Sequence, residues 1–191
     1  MIKYILFLFF LFWSNQAFAQ VQVLIVYHSE SGNTEMMAQS VEKGALSIEG
    51  VQVILKPVDK VSEEDLIQAD AIIVGSPVYN ANVSPPISAF IASWPFEGQP
   101  LKDKIGAAFV TAGGISAGEE IVQMNILQSM LVFGMIVVGG PGWTQPFGAS
   151  AVTGEPPFDV IAPDEIADQF LEKGYRLGKR VAEITTKVSF K

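Results

Sequence analysis

Residues Val21–Thr34, VQVLIVYHSESGNT, limit the folds open to this chain more than any other stretch. Val21, Val23, Leu24, Ile25 and Val26 make a β-branched apolar run whose length suits a strand buried on both faces, the situation of a parallel sheet between helices. The run breaks into small hydroxyls (Ser29, Ser31, Thr34), an amide (Asn33) and a glycine (Gly32) that lets backbone approach a ligand closely. Such a loop, opening onto a helix, offers unpaired N–H groups and the positive end of the helix dipole to an anion.

The loop contains no Lys or Arg, so the triphosphate pattern GxxxxGK[ST] does not match, and the dinucleotide pattern GxGxxG is absent too. A cradle of neutral donors suits a single terminal phosphate such as that of FMN. The alternative is a polar strand-to-helix turn that binds nothing.

Further along, Met37, Val41, Ala45 and Ile48 recur at helical spacing, and Gly50 is expected to stop that helix. Val51–Leu55 reads as a second strand ended by Pro57. Ser62-Glu63-Glu64-Asp65 has the form of a capping box opening a short helix with Leu66 and Ile67 inward. Ala71–Gly75 is a third strand, running into Ser76–Asn82. Ser84 is expected to cap a helix whose first turn takes Pro85 and Pro86. A fourth strand, Lys104–Val110, leads to Thr111–Gly118. A helix Glu119–Phe133, a fifth strand Met135–Val138 and a Gly- and Pro-rich loop Gly139–Pro163 follow. The last helix, about Asp164–Thr186, carries Ile166, Phe170, Leu177, Val181 and Ile184 on one stripe. Strands and helices alternate five times, which implies an α/β fold with a parallel sheet covered on both faces. Ligands bind beyond the carboxyl ends of such strands, and the Gly-, Ser- and Asn-rich loops all follow strands.

Residues 1–19 carry one basic residue (Lys3), an apolar run Tyr4–Trp13 and an Ala17-Phe18-Ala19 end that fits an A-x-A cleavage site. The run is short for a membrane span, so a cleaved secretory signal is expected, with residues 20–191 as one mature domain, exported to the periplasm or secreted. A retained signal would make the protein membrane-anchored. Cleavage removes Lys3 and no acid, so the mature chain is one unit more negative than the formal −8 of the whole. That charge argues against nucleic acid as a partner. With no cysteine, disulfides, thiol catalysis and thiolate metal sites are excluded, and His28 as the single histidine leaves too few parts for a His-based metal site or triad. His28 reads as a loop-edge side chain.

The set of motifs resembles flavodoxin-like FMN proteins and, among them, the NAD(P)H:quinone oxidoreductases of the tryptophan-repressor-binding-protein type. It consists of YHSESGNT at Tyr27–Thr34, VGSPVYNANVS at Val74–Ser84, FVTAGGISAGEE at Phe109–Glu120, FGMIVVG at Phe133–Gly139 and FGASAVTGE at Phe147–Glu155. The resemblance runs from Val21 to about Val188. It implies a flavodoxin-like three-layer sandwich, a five-stranded parallel sheet in the order 2-1-3-4-5 with helices on both faces.

By the same resemblance, Ser29, Ser31, Gly32, Asn33 and Thr34 would hold the FMN phosphate, with Glu30 pointing away. Pro77, Val78, Tyr79 and Asn80 would lie along the isoalloxazine, Tyr79 stacking, and Thr111, Ala112, Gly113 and Gly114 would close on its pyrimidine side. Read blandly, Tyr79 is a half-buried loop aromatic and Gly113-Gly114 a tight turn. The implied activity is two-electron transfer from NAD(P)H through FMN to a quinone-like acceptor, with no side chain assigned as a catalytic acid or base. The alternatives are an electron carrier between redox-protein partners, for which the acidic surface suits a basic partner, and a cofactor-less scaffold. A homodimer or homotetramer is implied if Trp94 or Phe96 caps a neighbour's flavin; the alternative for these two and for Trp143 is a core or surface anchor.

Three departures stand out. Phe133 occupies a position where relatives often have a histidine beside the flavin, Tyr79-Asn80 replaces a common Arg-Phe, and an exported relative would need a reductant other than the scarce extracytoplasmic NAD(P)H.

Overall fold

A computed structural model describes residues 20–159 and 166–189. The strands are β1 (Val21–Tyr27), β2 (Val51–Pro57), β3 (Ala71–Tyr79), β4 (Asn82–Val83), β5 (Ile105–Ala112), β6 (Ile136–Val137) and β7 (Ala149–Val152). The helices are α1 (Asn33–Leu46), α2 (Glu63–Gln68), α3 (Pro85–Ala92), α4 (Glu119–Val132) and α5 (Asp168–Ser189).

Side-chain alternation along the strands separates two cores. Val21, Val23 and Ile25 of β1, Ile73 of β3 and Phe109 of β5 face α1 and α5; Leu24, Val26, Ile72, Val74 and Val110 face the other way, onto α2, α3 and α4. Both sets are buried, as expected for a parallel sheet with helices on each face. The sheet order is β2-β1-β3-β5-β6, all parallel. With the two-residue β4 set aside, this is the expected 2-1-3-4-5 order. β4 pairs antiparallel with the end of β3 as the return arm of a small hairpin.

The fifth position departs from expectation because two short pieces share it. β6 pairs with Ile105 and Gly106, and β7 pairs with Phe109 to Ala112, both parallel to β5. Residues 138–148 loop out between them, opposite Ala107 and Ala108. The expected loop Gly139–Pro163 therefore contains a strand; its last residues, from 160, and the start of the expected last helix lie outside the described residues, as do residues 1–19, where the signal is expected.

Other expectations also need correction. Helix α1 ends before Gly50: Ser47 is its C-cap and its hydroxyl bonds the Gly44 carbonyl at 2.6 Å, while Gly50, at φ +78°, only turns the chain into β2. Leu66 is buried but Ile67 is 40% exposed, because the single inward stripe of a six-residue helix admits only one of two neighbours. Ser84 stands at the N-cap of α3 without capping it; its amide and hydroxyl join Ser76 Oγ instead, at 3.0 and 3.3 Å.

Helices α1 and α5 touch backbone to backbone. A Cβ on Gly44 would lie 1.9 Å from the Tyr175 carbonyl oxygen and one on Gly178 1.9 Å from that of Val41, so this crossing tolerates only glycine. The close approach clamps α1, and with it the loop that precedes it.

Candidate functional site

All strands of the parallel sheet end at one edge, and the sequence-predicted residues gather there. The first loop leaves β1 with His28 N–H donating to the Gly75 carbonyl (3.2 Å). Ser29 Oγ accepts from Gly32 N–H (3.1 Å), which curls the loop onto itself. Gly32 is the N-cap of α1 in the left-handed conformation, φ 89°, a position that L side chains resist. No side chain caps α1, so its first amides stay open at the positive end of a 14-residue helix. Ser31 is exposed, the Asn33 side-chain oxygen is buried without a partner among the described residues, and Glu30 points out with its side chain 72% exposed.

The second loop is tighter than its sequence suggested. Strand β3 continues through Pro77 and Val78 to Tyr79, and Asn80 (φ 51°) and Ala81 (φ 58°) form a two-residue turn into β4. Left-handed alanine is uncommon and stores strain. The Ala81 side chain fills the space beside Gly118, where an added Cβ would come within 2.5 Å of it. Tyr79 is half-buried and meets the ring of His28 edge-on, with centroids 6.4 Å apart. Burial first, and the Glu30 carboxylate second, push its phenol above the usual value.

In the third loop Thr111 is buried and its hydroxyl lies 2.7 Å from that of Thr34. That bond uses one proton of the pair and leaves the other free to donate. Ala112 is buried, Gly114 is partly buried, and Gly113 is exposed with open space over the position a Cβ would take. Beyond β7, Thr153 N–H donates to the Ala112 carbonyl (2.9 Å), Gly154 lies against Gly113, and Glu155 accepts from Ile115 N–H at 2.6 Å.

These contacts join the loops after β1, β3, β5 and β7 into one continuous rim: His28 to Tyr79, Thr34 to Thr111, Ala81 to Gly118, Glu155 to Ile115. Every residue named from sequence as a flavin contact lies on it or directly beneath it. Two side chains not named as flavin contacts also join the rim. His28, at the edge of the first loop, has its side chain 15% exposed, with Nδ1 buried and unpartnered among the described residues and Nε2 4.0 Å from Glu30. Glu155, the last residue of the motif Phe147–Glu155, ties the last loop to the third.

Two other expectations fail on position. Phe133 caps the end of α4 before β6 begins, so it lies at the opposite, amino edge of the sheet, packed on Trp94 and Phe96 (5.3 and 5.7 Å). Within its own chain it has no place beside the loops. Trp94 is buried in the core and unavailable to a neighbour, whereas Phe96 is 63% and Trp143 89% exposed.

The rim fits a flavin mononucleotide on chemical grounds. The uncapped amides of α1, the hydroxyls of Ser29, Ser31 and the Thr34–Thr111 pair, and the side chain of Asn33 suit one terminal phosphate. The rim loops contribute no Lys or Arg that would select a longer phosphate chain.

Comparison with known proteins agrees. Residues 55–149 match the family model described as NADPH-dependent FMN reductase. A flavodoxin of Aquifex aeolicus is 36% identical over 172 residues, covering 85% of each chain. A flavodoxin of Clostridium saccharobutylicum is 35% identical over 121 residues, 63% of this chain and 74% of that one. Among solved structures, the WrbA-like flavodoxin of Agrobacterium tumefaciens superimposes with a TM-score of 0.72 at 23% identity, covering 88% of this chain and 99% of that one. An archaeal flavodoxin superimposes with a TM-score of 0.68 at 28% identity, covering 86% and 99%. From the sheet order, the continuous rim and these matches together, the chain belongs to the flavodoxin-like family of FMN proteins.

Proposed function

We propose that the chain is an FMN-dependent oxidoreductase that takes reducing equivalents from NAD(P)H and passes them two at a time to a quinone-like acceptor. The observation that carries this reading is the joined rim: a phosphate cradle at the start of α1 that is continuous, through Thr34 and Thr111, with loops of small residues and one half-buried tyrosine. Bound FMN would supply the hydride and electron chemistry.

The chain's own residues do the rest. Ser29, Ser31, Gly32, Asn33 and Thr34 would hold the phosphate. Pro77, Val78, Tyr79 and Asn80 would line the ring system, with Tyr79 offering a stacking face held by the strained Asn80-Ala81 turn. Thr111, Ala112, Gly113 and Gly114 would close on its pyrimidine side, and the exposed Gly113 leaves room for an acceptor. The match to an NADPH-dependent family model supports the donor. The test is steady-state oxidation of NAD(P)H by FMN-loaded protein with and without a benzoquinone; an absence of turnover with bound FMN would sink the reductase reading.

A second reading is favoured by the relatives named flavodoxin and by the net charge of −8: an electron carrier that docks on a basic protein partner. It predicts that chemically reduced, FMN-loaded protein reduces a basic cytochrome rapidly and that salt suppresses the rate. Export is a separate proposal, supported by the apolar run Tyr4–Trp13 and the Ala17-Phe18-Ala19 end, and an exported form would take its reducing equivalents from a donor other than NAD(P)H. Mass spectrometry of the native N-terminus should read Gln20 first. An intact Met1 would instead favour an anchored form.

A further inference from the structure

The loop between β6 and β7 builds a second concave site whose residues are separate from those of the rim. Its turn is closed by Gly140 N–H donating to the Gln145 carbonyl (2.9 Å) and Gln145 N–H to that of Gly142 (3.1 Å). The buried Gln145 side chain then donates to the Lys173 carbonyl of α5 (3.2 Å), so the loop is fixed to the helix. Between them lies a cleft of about 370 Å³, walled by Pro141, Gly142 and Thr144 on one side and by Arg176, Lys179 and Arg180 on the other.

Charge makes this cleft unusual for the molecule. The whole chain is at −8, yet three cations here face a single lining carboxylate, Glu183. Elsewhere, Lys102 and Lys104 share a cleft with Asp70 and Asp103, and the cleft at Ser116 carries Glu119 and Glu120. Arg176 is paired with Glu172 one turn earlier, Nε to Oε1 at 2.9 Å. Lys179 is exposed and has no ion pair among the described residues. The Nε of the half-buried Arg180 is fully enclosed and has no hydrogen-bond partner among the described residues.

We propose that this cleft binds a phosphate-bearing small molecule of about mononucleotide size, at a site independent of the flavin loop. Guanidinium forks suit phosphate oxygens, and the neighbouring ammonium adds an undirected charge. The volume is more than a lone phosphate needs and lies within the range of small-ligand pockets, roughly 300–1,000 Å³. Trp143 is not itself a lining residue, but it stands 89% exposed between the lining residues Gly142 and Thr144, at the cleft's margin, where its ring would offer a flat surface to a base.

The test is calorimetric titration of the full, FMN-loaded chain with ADP and with inorganic pyrophosphate, alongside amide shift mapping. ADP should move the amides of Gly142, Thr144 and Lys179 and bind about tenfold tighter than pyrophosphate, the base contact being worth roughly that much. Lys179→Gln and Arg180→Gln should each weaken ADP about tenfold. Glu183→Gln should tighten it severalfold, a gain that a damaged fold cannot mimic. No ADP binding, equal affinity for pyrophosphate, competition by added FMN, or a loss of affinity in the Glu183 variant would each overturn the proposal.

Discussion

Helices α1 to α4 begin at the carboxyl edge of the sheet, and they treat their first amides in opposite ways. Helix α2 closes itself: Ser62 Oγ accepts from Asp65 N–H at 3.3 Å, Asp65 accepts from Ser62 N–H at 2.8 Å, and Lys56 Nζ lies 2.8 Å from both Asp65 oxygens. Helix α3 removes its donors by beginning Pro85-Pro86. Helices α1 and α4 begin after left-handed glycines, Gly32 and Gly118, with no side-chain cap. The open starts are the ones on the rim. Where no ligand is expected the chain satisfies its own backbone; on the rim, where FMN is expected, it leaves donors exposed.

The largest effect expected of any change that tests this contrast is at Gly32. Gly32→Val places a β-branched residue at φ 89°, adding backbone strain and filling the approach to α1, and should weaken FMN binding by about 100-fold in a flavin fluorescence titration. Near-normal affinity would mean that the open amides of α1 do not hold the phosphate. Thr34→Val comes next: it deletes one hydroxyl of the pair with Thr111 and should cost about tenfold in FMN affinity. Thr111→Val should resemble it, and the double variant should cost less than the sum.

Ser62→Ala should lower unfolding free energy by about 1 kcal/mol in urea while leaving FMN affinity unchanged. A change in flavin binding there would break the distinction between closed and open helix starts.

The smallest effects are on the pH limbs of stability, and they differ in sign. Burial would raise the Asp65 pKa, but Lys56 and the Ser62 amide and hydroxyl outweigh it and hold it below 3.8. The unfolded chain therefore takes up the proton first, so this support for α2 is complete above the ordinary carboxylate range and fades as pH falls through Asp65's depressed pKa. At α1, burial and the hydrogen bond to Glu35 push the Tyr27 phenol up to about 12. The unfolded chain loses that proton first, so stability is complete below pH 10 and declines between 10 and about 12. Asp65→Asn should flatten the acid limb and Tyr27→Phe the alkaline one, both readable from melting temperature against pH.

Much of this was legible in the sequence because the signals were local. The apolar run of β1, the small polar residues after it, the Ser62–Asp65 cap and the stripe of Phe170, Leu177 and Val181 are decided by neighbours in the chain. What escaped was decided at a distance. Ala149–Val152 is a strand only because Phe109–Ala112 offers it a partner; four small residues in a Gly-rich stretch show no period of their own. Ser84 reads as a cap until Ser76 claims its hydroxyl. Phe133 sits in a family motif, yet chain direction puts it at the far edge of the sheet. In the site, the composition of each loop was readable, but the contacts that join them, Ala81 on Gly118 and Glu155 on Ile115, were not.

The divided fifth strand means that chain length and sheet geometry are uncoupled at this border of the molecule. Residues 138–148 leave and rejoin the same partner strand across the short gap of Ala107 and Ala108, so both ends are anchored whatever lies between. Lengthening such an excursion adds closure entropy only logarithmically, about 0.6 kcal/mol per doubling. The border can thus be lengthened at the exposed Pro141–Thr144 while Gln145 stays fixed to α5 and β7 continues to deliver Thr153 and Glu155 to the opposite end of the sheet.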